Sequence, residues 1–113
     1  MIIFLCGEDS YHLQKKCREI KASYADKHRE ADFASFDLGD EDEIESFKEF
    51  LKQGSLFSRF RMGNICGLFE SEVDFKRLLK EQVERKDLVL VIGEEKNPTG
   101  FYKFLLEYPV FAQ

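Results

Sequence analysis

The feature that most constrains the fold is an uninterrupted run of five apolar residues, Leu-Val-Leu-Val-Ile, at positions 88–92. Three of these residues are β-branched, which favours an extended strand. Because the run contains no polar residue for a solvent-facing side, it is typical of a strand covered on both faces in a parallel sheet. A similar run, Ile-Ile-Phe-Leu-Cys, occupies positions 2–6. The sequence therefore predicts an α/β fold with residues 88–92 as its central strand.

The segments between these two runs alternate between strand and helix patterns. Residues 33–38 and 61–68 predict a second and a third strand. The acidic residues 40–43 start one helix, and Ser71 starts another whose apolar stripe includes Val73 and Phe75. A first helix, capped by Asp9 or Ser10, is predicted from four apolar residues at helical spacing: Leu13, Cys17, Ile20 and Tyr24. With a last strand at residues 110–112, this order predicts a three-layer α/β domain with a mostly parallel five-stranded sheet.

Length and charge exclude several classes of protein. The 113 residues are enough for one domain with its own core. The net charge of -5 argues against a surface that binds nucleic acid along its whole length. No apolar run approaches the roughly 20 residues that span a bilayer, and no signal peptide is evident, so we expect a cytoplasmic protein without a membrane contact. The three cysteines, Cys6, Cys17 and Cys66, are expected to be buried, reduced thiols.

The first strand is followed by a glycine but not by a phosphate-binding motif. Gly7 precedes Glu-Asp-Ser-Tyr-His-Leu, with no second glycine and no Lys-Ser or Lys-Thr pair. Glu8 and Asp9 would repel a phosphate, and the third strand lacks the aspartate that holds Mg²⁺ in ATPases. We therefore expect no ATPase activity, no cofactor, no metal site and no catalytic residue.

A second candidate region follows the central strand. Residues 94–97, Glu-Glu-Lys-Asn, come at the carboxyl edge of the sheet, where α/β proteins commonly bind ligands. A charged surface loop is the favoured interpretation. An enzyme with an unrecognised site near Gly7 or Glu94 remains an alternative.

The segment Gly-Ser-Leu-Phe-Ser at positions 54–58 resists a purely structural interpretation. Leu56 and Phe57 are large and apolar, yet they lie in a connection between a helix and a strand, which is normally polar and exposed. Either they pack under the domain, or they project as an anchor for a partner's pocket. The pattern alone leaves both open and favours core packing.

Two stretches resemble a known family. Residues 4–11, Phe-Leu-Cys-Gly-Glu-Asp-Ser-Tyr, and residues 50–58, Phe-Leu-Lys-Gln-Gly-Ser-Leu-Phe-Ser, are similar to the amino-terminal domain of the delta subunit of bacterial DNA polymerase III. That subunit belongs to the sliding-clamp loader. The resemblance covers the whole chain in order, and Ser-Leu-Phe-Ser is its most specific element.

The resemblance implies an AAA+-like domain with a degenerate P-loop, spanning residues 1–113 without the family's lid and collar domains. It also implies a non-catalytic role in DNA replication. Leu56 and Phe57 would form a wedge that enters a pocket of the beta sliding clamp and opens the ring, with Ser55, Ser58 and Arg59 as the rim. Other loader subunits would bind the full-length protein, and DNA contact would be indirect or weak. A general protein-interaction module of the same fold is a further alternative.

Overall fold

The computed structural model describes residues 1–7, 9–52, 60–83, 85, 87–96, 102, 104–105 and 110–112. Helices and strands alternate along the described chain, and the α/β class predicted from the sequence is confirmed. The elements are β1 (Ile2–Cys6), α1 (Ser10–Lys27), β2 (Asp32–Asp37), α2 (Glu41–Lys52), β3 (Arg61–Cys66), a 3-10 turn (Leu68–Glu70), α3 (Lys76–Glu81), β4 (Leu88–Glu94) and β5 (Val110–Ala112).

The strands form a parallel sheet in the order β2-β3-β4-β1-β5. β4 lies between β3 and β1, which confirms the prediction of a central strand at this position. β5 has three residues, pairs with β1 and is the last strand in this order. Since all pairs are parallel, the strands begin at one edge of the sheet, the amino-terminal edge, and end at the opposite carboxyl edge.

Helices lie on both faces of this sheet. On one face, Leu13 of α1 packs with Leu5, Met62, Val89 and Val91. On the other face, α2 and α3 bury a larger core against the sheet. Its fully buried side chains include Phe4, Phe47, Phe75, Leu79, Leu90 and Ile92.

Local chemistry explains where the two longer helices begin. The carboxylate of Asp9 accepts hydrogen bonds from the backbone N–H groups of Tyr11 and His12, at 3.0 and 3.3 Å, and so caps α1. The first turn of α2 carries three acidic side chains, which the positive end of the helix dipole stabilises. Within the described ranges, no helix has the length and apolar character needed to cross a membrane.

The third helix is shorter than the sequence pattern predicts. α3 begins at Lys76 rather than Ser71, and Val73 is exposed rather than packed. The Ser71 hydroxyl accepts from Val73 N at 3.2 Å, and the Asp74 carboxylate accepts from Lys76 N at 2.9 Å. These hydrogen bonds to side chains compete with the hydrogen bonds of a helix, which explains why α3 does not begin at Ser71 as predicted.

The prediction of buried thiols is confirmed for Cys6, met only in part by Cys17 and wrong for Cys66. None of the three cysteines forms a disulfide; Cys6 is buried, Cys17 is half-buried and Cys66 is exposed. Ile65 points into the core on the α2 face, so Cys66, the last residue of β3, points to the opposite face. There it lies at the end of its strand, beside a cavity.

Candidate functional site

A cavity of about 810 Å³ opens at the carboxyl edge of the sheet. It lies between α1 and the ends of β2, β3 and β4, and its size is ordinary for a small-molecule site. Leu13, Ile65 and Val91 contribute apolar surface. Its charged side chains are mostly acidic: Asp37, Glu43, Glu70, Glu94 and Glu95, with Lys96 as a basic member.

Glu94 is the last residue of β4, and its side chain is buried. Its Oε1 accepts a hydrogen bond from Leu68 N at 2.6 Å, which holds the 3-10 turn against the end of the strand. Burial raises the pKa of this carboxyl to about 7, and the nearby charges of Glu70 and Asp37 act in the same direction. The interpretation of residues 94–97 as a charged surface loop is therefore wrong for Glu94. The strand continues two residues further than predicted, and its last side chain turns inward.

The electrostatic potential at the cavity wall is negative. Partial burial of the sulfur raises the pKa of Cys66 to about 11, and the carboxylates of Asp37, Glu94, Glu43 and Glu70 add to this effect. The ion pairs found among the described residues include none of these four carboxylates. A phosphate group in this cavity would be repelled by these carboxylates, whereas Lys96 is the basic side chain among the described lining residues.

Several backbone N–H groups after β1 already have acceptors. Gly7 N donates to the backbone oxygen of Glu94 at 3.2 Å, while the Asp9 carboxylate occupies the N–H groups of Tyr11 and His12. Those N–H groups are the donors with which a helix amino terminus would hold a phosphate. The side-chain hydrogen bond with His12 also keeps the pKa of Asp9 below its ordinary value, so the cap stays charged. Among the described residues, no group of three or more His, Cys, Asp or Glu side chains is suited to a metal ion.

The residues that the family resemblance singles out, Ser55, Leu56, Phe57, Ser58 and Arg59, lie outside the described residues. Their assigned roles stay predictions. The structure does describe both ends of the connection that contains them. α2 ends at Lys52 and β3 begins at Arg61, so both ends of residues 53–59 are at the amino-terminal edge of the sheet. The cavity lies at the opposite edge.

Two arginines hold the last turn of α2 at this edge. Arg61 is 4% exposed, and its Nη1 donates to the backbone oxygen of Phe50. Its guanidinium carbon lies 4.8 Å from the centre of the Phe50 ring. Arg85 Nη1 donates to the backbone oxygen of Leu51 at 2.7 Å. Two carbonyl groups at the negative end of the helix dipole are thus paired with cations.

Asp87 fixes Arg85 through both arms of the guanidinium. Arg85 Nε lies 3.0 Å from Oδ1 and Nη2 lies 2.7 Å from Oδ2, which is the two-point geometry that arginine favours with a carboxylate. Arg85 Nη1 also donates to Gln82 Oε1 at 3.0 Å. We call Arg61, Arg85 and Asp87 the arginine bracket. The one feature of the sequence that points to the bracket is a charged residue, Arg61, at the first position of a predicted strand.

Models of known protein families give no match to this chain, and neither do curated proteins. The observations that bear on function therefore lie at the two edges of the sheet. One edge carries an acidic cavity, and the other holds both ends of a connection that contains two large apolar residues, Leu56 and Phe57.

Proposed function

We propose that this chain is a non-catalytic clamp-loader domain, equivalent to the amino-terminal domain of the DNA polymerase III delta subunit, which binds and helps to open the beta sliding clamp. The observation that carries the proposal is the connection at residues 53–59. It contains two adjacent large apolar residues, Leu56 and Phe57, and both of its ends are anchored at the sheet edge opposite the acidic cavity. Ser55, Ser58 and Arg59 form the polar rim of the anchor.

The physical basis of binding is burial of this apolar pair in a pocket of the clamp. Two such side chains removed from water contribute on the order of 3 to 5 kcal/mol. A closed ring is held by its interfaces, and a wedge that binds the distorted interface better than the closed one shifts the population towards the open ring. No covalent chemistry is needed.

We also propose that the fold is a degenerate P-loop domain of the AAA+ type. A parallel sheet with helices on both faces and a glycine turn after β1 supports this assignment. The loss of nucleotide binding is supported by the absent second glycine, by the Asp9 cap and by the acidic cavity wall. The other loader subunits would contact the full-length protein, and the net charge of -5 makes DNA contact by this domain indirect or weak.

The proposal is tested by measuring the affinity of the chain for the beta clamp by isothermal titration calorimetry. Replacing Leu56→Ala together with Phe57→Ala should weaken binding at least about 100-fold, as expected from the loss of about 3 kcal/mol. Val73→Ala serves as the control, because Val73 is exposed and lies on another part of the domain. No binding by the wild type at low salt, or equal affinity in the double variant, would contradict the proposal.

An enzyme with its site at the carboxyl edge is the second candidate. The specific observation in its favour is Glu94, a buried carboxyl with a pKa of about 7 beside a cavity of about 810 Å³. Against it stands the hydrogen bond to Leu68 N, which gives this carboxyl a structural role. ATP with Mg²⁺ should leave the melting temperature unchanged under the clamp proposal, whereas a rise of several degrees would favour the enzyme.

A general interaction module of the same fold differs from the clamp domain only in its partner. Both would use Leu56 and Phe57 as an apolar anchor, so the affinity for the beta clamp itself is the measurement that separates them. A chain that binds a different replication protein through Leu56 and Phe57, and not the clamp, would favour the general module.

A further inference from the structure

The cavity at the carboxyl edge of the sheet has no part in the proposed clamp binding, yet it has the size and the lining of a ligand site. Its volume is about 810 Å³, and Leu13, Ile65 and Val91 give it apolar walls. We propose that this cavity binds a small organic cation, with an amine or guanidine head group at the carboxylates and an apolar body between α1 and the sheet. The inference is independent of the proposed function, which concerns the opposite edge.

Four carboxylates from four different elements converge at this cavity. They are Asp37 at the end of β2, Glu43 in the first turn of α2, Glu70 in the 3-10 turn and Glu94 at the end of β4. Asp37 Oδ1 and Glu70 Oε2 each lie 3.2 Å from the point that a Cβ on Gly39 would occupy, so these two oxygens are close to one another. Glu43 Oε2 accepts from the backbone N–H of Asp37 at 3.0 Å, which holds a third carboxylate beside them. Because like charges repel, the folded chain holds these groups together at a cost in free energy.

A proton relieves part of this repulsion at Glu94. Burial raises the pKa of its carboxyl to about 7, and the charges of Glu70 and Asp37 act in the same direction. The other titratable side chains that line the cavity are Glu43, Cys17, Cys66, Glu95 and Lys96. Since Lys96 is the basic member among the described lining residues, a bound cation would supply positive charge that this lining has little of. A cation beside Glu94 would also favour its ionised form.

Asn64 offers the ligand an acceptor that does not depend on charge. It is in register with Ser35 of β2 and with Val91 of β4, so its side chain lies on the α1 face of the sheet together with that of Val91. Asn64 lines the cavity, and its buried Oδ1 has no hydrogen-bond partner among the described residues. A buried acceptor without a donor is costly, so an N–H group of the ligand is expected to meet it. An amine or a guanidine brings both the donor and the positive charge.

The first arm of the test compares four probes of similar size by NMR titration of the whole chain at pH 8. Benzamidine and benzylamine are the cations, benzyl alcohol is the neutral counterpart and benzoate is the anion. The two cations should bind at least about 10-fold more tightly than benzyl alcohol and shift the amide signals of cavity residues such as Cys66 and Gly93, whereas benzoate should not bind. Equal binding of benzamidine and benzyl alcohol, or no saturable binding of either cation, would overturn the proposal.

Ca²⁺ separates an organic cation from a metal ion. Among the described residues, no group of three or more His, Cys, Asp or Glu side chains is suited to a metal ion, so Ca²⁺ at an equal concentration should not displace benzamidine. Displacement of benzamidine by Ca²⁺ would assign the carboxylates to a metal and overturn the proposal.

The second arm replaces single residues of the lining. Glu70→Gln should weaken benzamidine binding at least about 5-fold and leave benzyl alcohol binding unchanged, because it removes one carboxylate charge. Glu49→Gln is the matched control, since Glu49 is an exposed glutamate of α2 that does not line the cavity, and it should retain the wild-type affinity. Equal losses in the two variants would show a general attraction by net charge and overturn the proposal.

Asn64→Ala tests the hydrogen bond without a change in charge. It should weaken benzamidine binding at least about 3-fold, because the acceptor is lost. Glu70 is exposed, so Glu70→Gln still decides the matter if Asn64→Ala unfolds. Unchanged affinity in both variants would place benzamidine outside the cavity and overturn the proposal.

The third arm is the pH dependence of benzamidine binding, since the charge of this probe is constant between pH 6 and pH 8. Affinity should rise at least about 3-fold over this range as Glu94 ionises, and Glu94→Gln should abolish the rise. Glu95→Gln is the control and should keep the rise, since Glu95 is adjacent and exposed. An affinity that falls with rising pH, or a rise that Glu94→Gln retains, would contradict a cation seated beside Glu94 and overturn the proposal.

Discussion

At the scale of single residues, two side chains at the carboxyl edge carry unusual protonation equilibria. Glu94 is buried against the 3-10 turn, and Cys66 lies at the end of β3 among four carboxylates. The sequence pattern did not reveal either environment, because both depend on residues that are distant along the chain. Each environment gives a measurable consequence.

Glu94 should make the domain less stable at neutral pH than at mildly acidic pH. Its pKa in the folded state, about 7, lies above the ordinary 4.5, so the folded state binds a proton more tightly than the unfolded state does. This contribution is complete below pH 4.5 and is lost as the pH rises through 7. Glu94→Gln should remove a difference on the order of 1 to 3 kcal/mol between pH 5 and pH 8, measured by urea unfolding.

Glu95→Gln is the matched control for this experiment, since Glu95 is adjacent and exposed. It should retain the pH dependence of the wild type. If Glu94→Gln retains it as well, the raised pKa of Glu94 is not its source.

Cys66 should react slowly despite its exposure. With a pKa of about 11, its thiolate fraction at pH 8 is about 100-fold lower than that of a thiol with a pKa of 9. Alkylation by iodoacetamide at Cys66, followed by mass spectrometry of the modified peptide, should be at least 10-fold slower than that of a small free thiol. Asp37→Asn should raise the rate by removing one carboxylate; an ordinary rate in the wild type would contradict the account.

At the scale of elements, the turn from β3 into the 3-10 segment depends on one glycine. Gly67 has a φ of 69°, and a Cβ at this position would lie 2.2 Å from Asp37 Oδ1 and 2.7 Å from Gly39 N. Gly67→Ala should therefore destabilise the domain by about 2 to 4 kcal/mol in chemical unfolding.

Gly93→Ala is the comparison, because its added Cβ would make only an ordinary contact, 3.8 Å from Cys17 Sγ. Its effect on the free energy of unfolding should stay within about 1 kcal/mol. Equal destabilisation by the two substitutions would show that the left-handed turn is not the cause.

Periodicity and composition predicted the elements that hydrophobic burial decides. The strands at residues 2–6 and 88–92 and the apolar stripe of α1 were predictable because each buries its own apolar residues in a regular pattern. The late start of α3 was not predictable from the pattern, because the side chains of Ser71 and Asp74 accept hydrogen bonds from backbone N–H groups two residues further on. The arginine bracket was not predictable for another reason: Arg61 and Arg85 contact α2 through tertiary structure, and no local pattern in the sequence encodes those contacts.

At the scale of the whole molecule, the sheet separates two chemistries. The carboxyl edge, where open α/β sheets commonly bind ligands, carries an acidic wall and a helix cap already occupied by Asp9. The amino-terminal edge holds both ends of the connection that contains Leu56 and Phe57. In the proposed account, the domain retains a nucleotide-binding scaffold and exerts its function from the opposite edge.

The most direct test of this account is whether the chain opens a closed clamp. Beta clamps loaded on nicked circular DNA leave the DNA only when the ring opens, so the release rate reports opening. The wild-type chain should accelerate release at least 10-fold, and the variant with Leu56→Ala and Phe57→Ala should release clamps no faster than buffer alone. Release that the wild type does not accelerate, or that the double variant accelerates equally, would contradict the central claim.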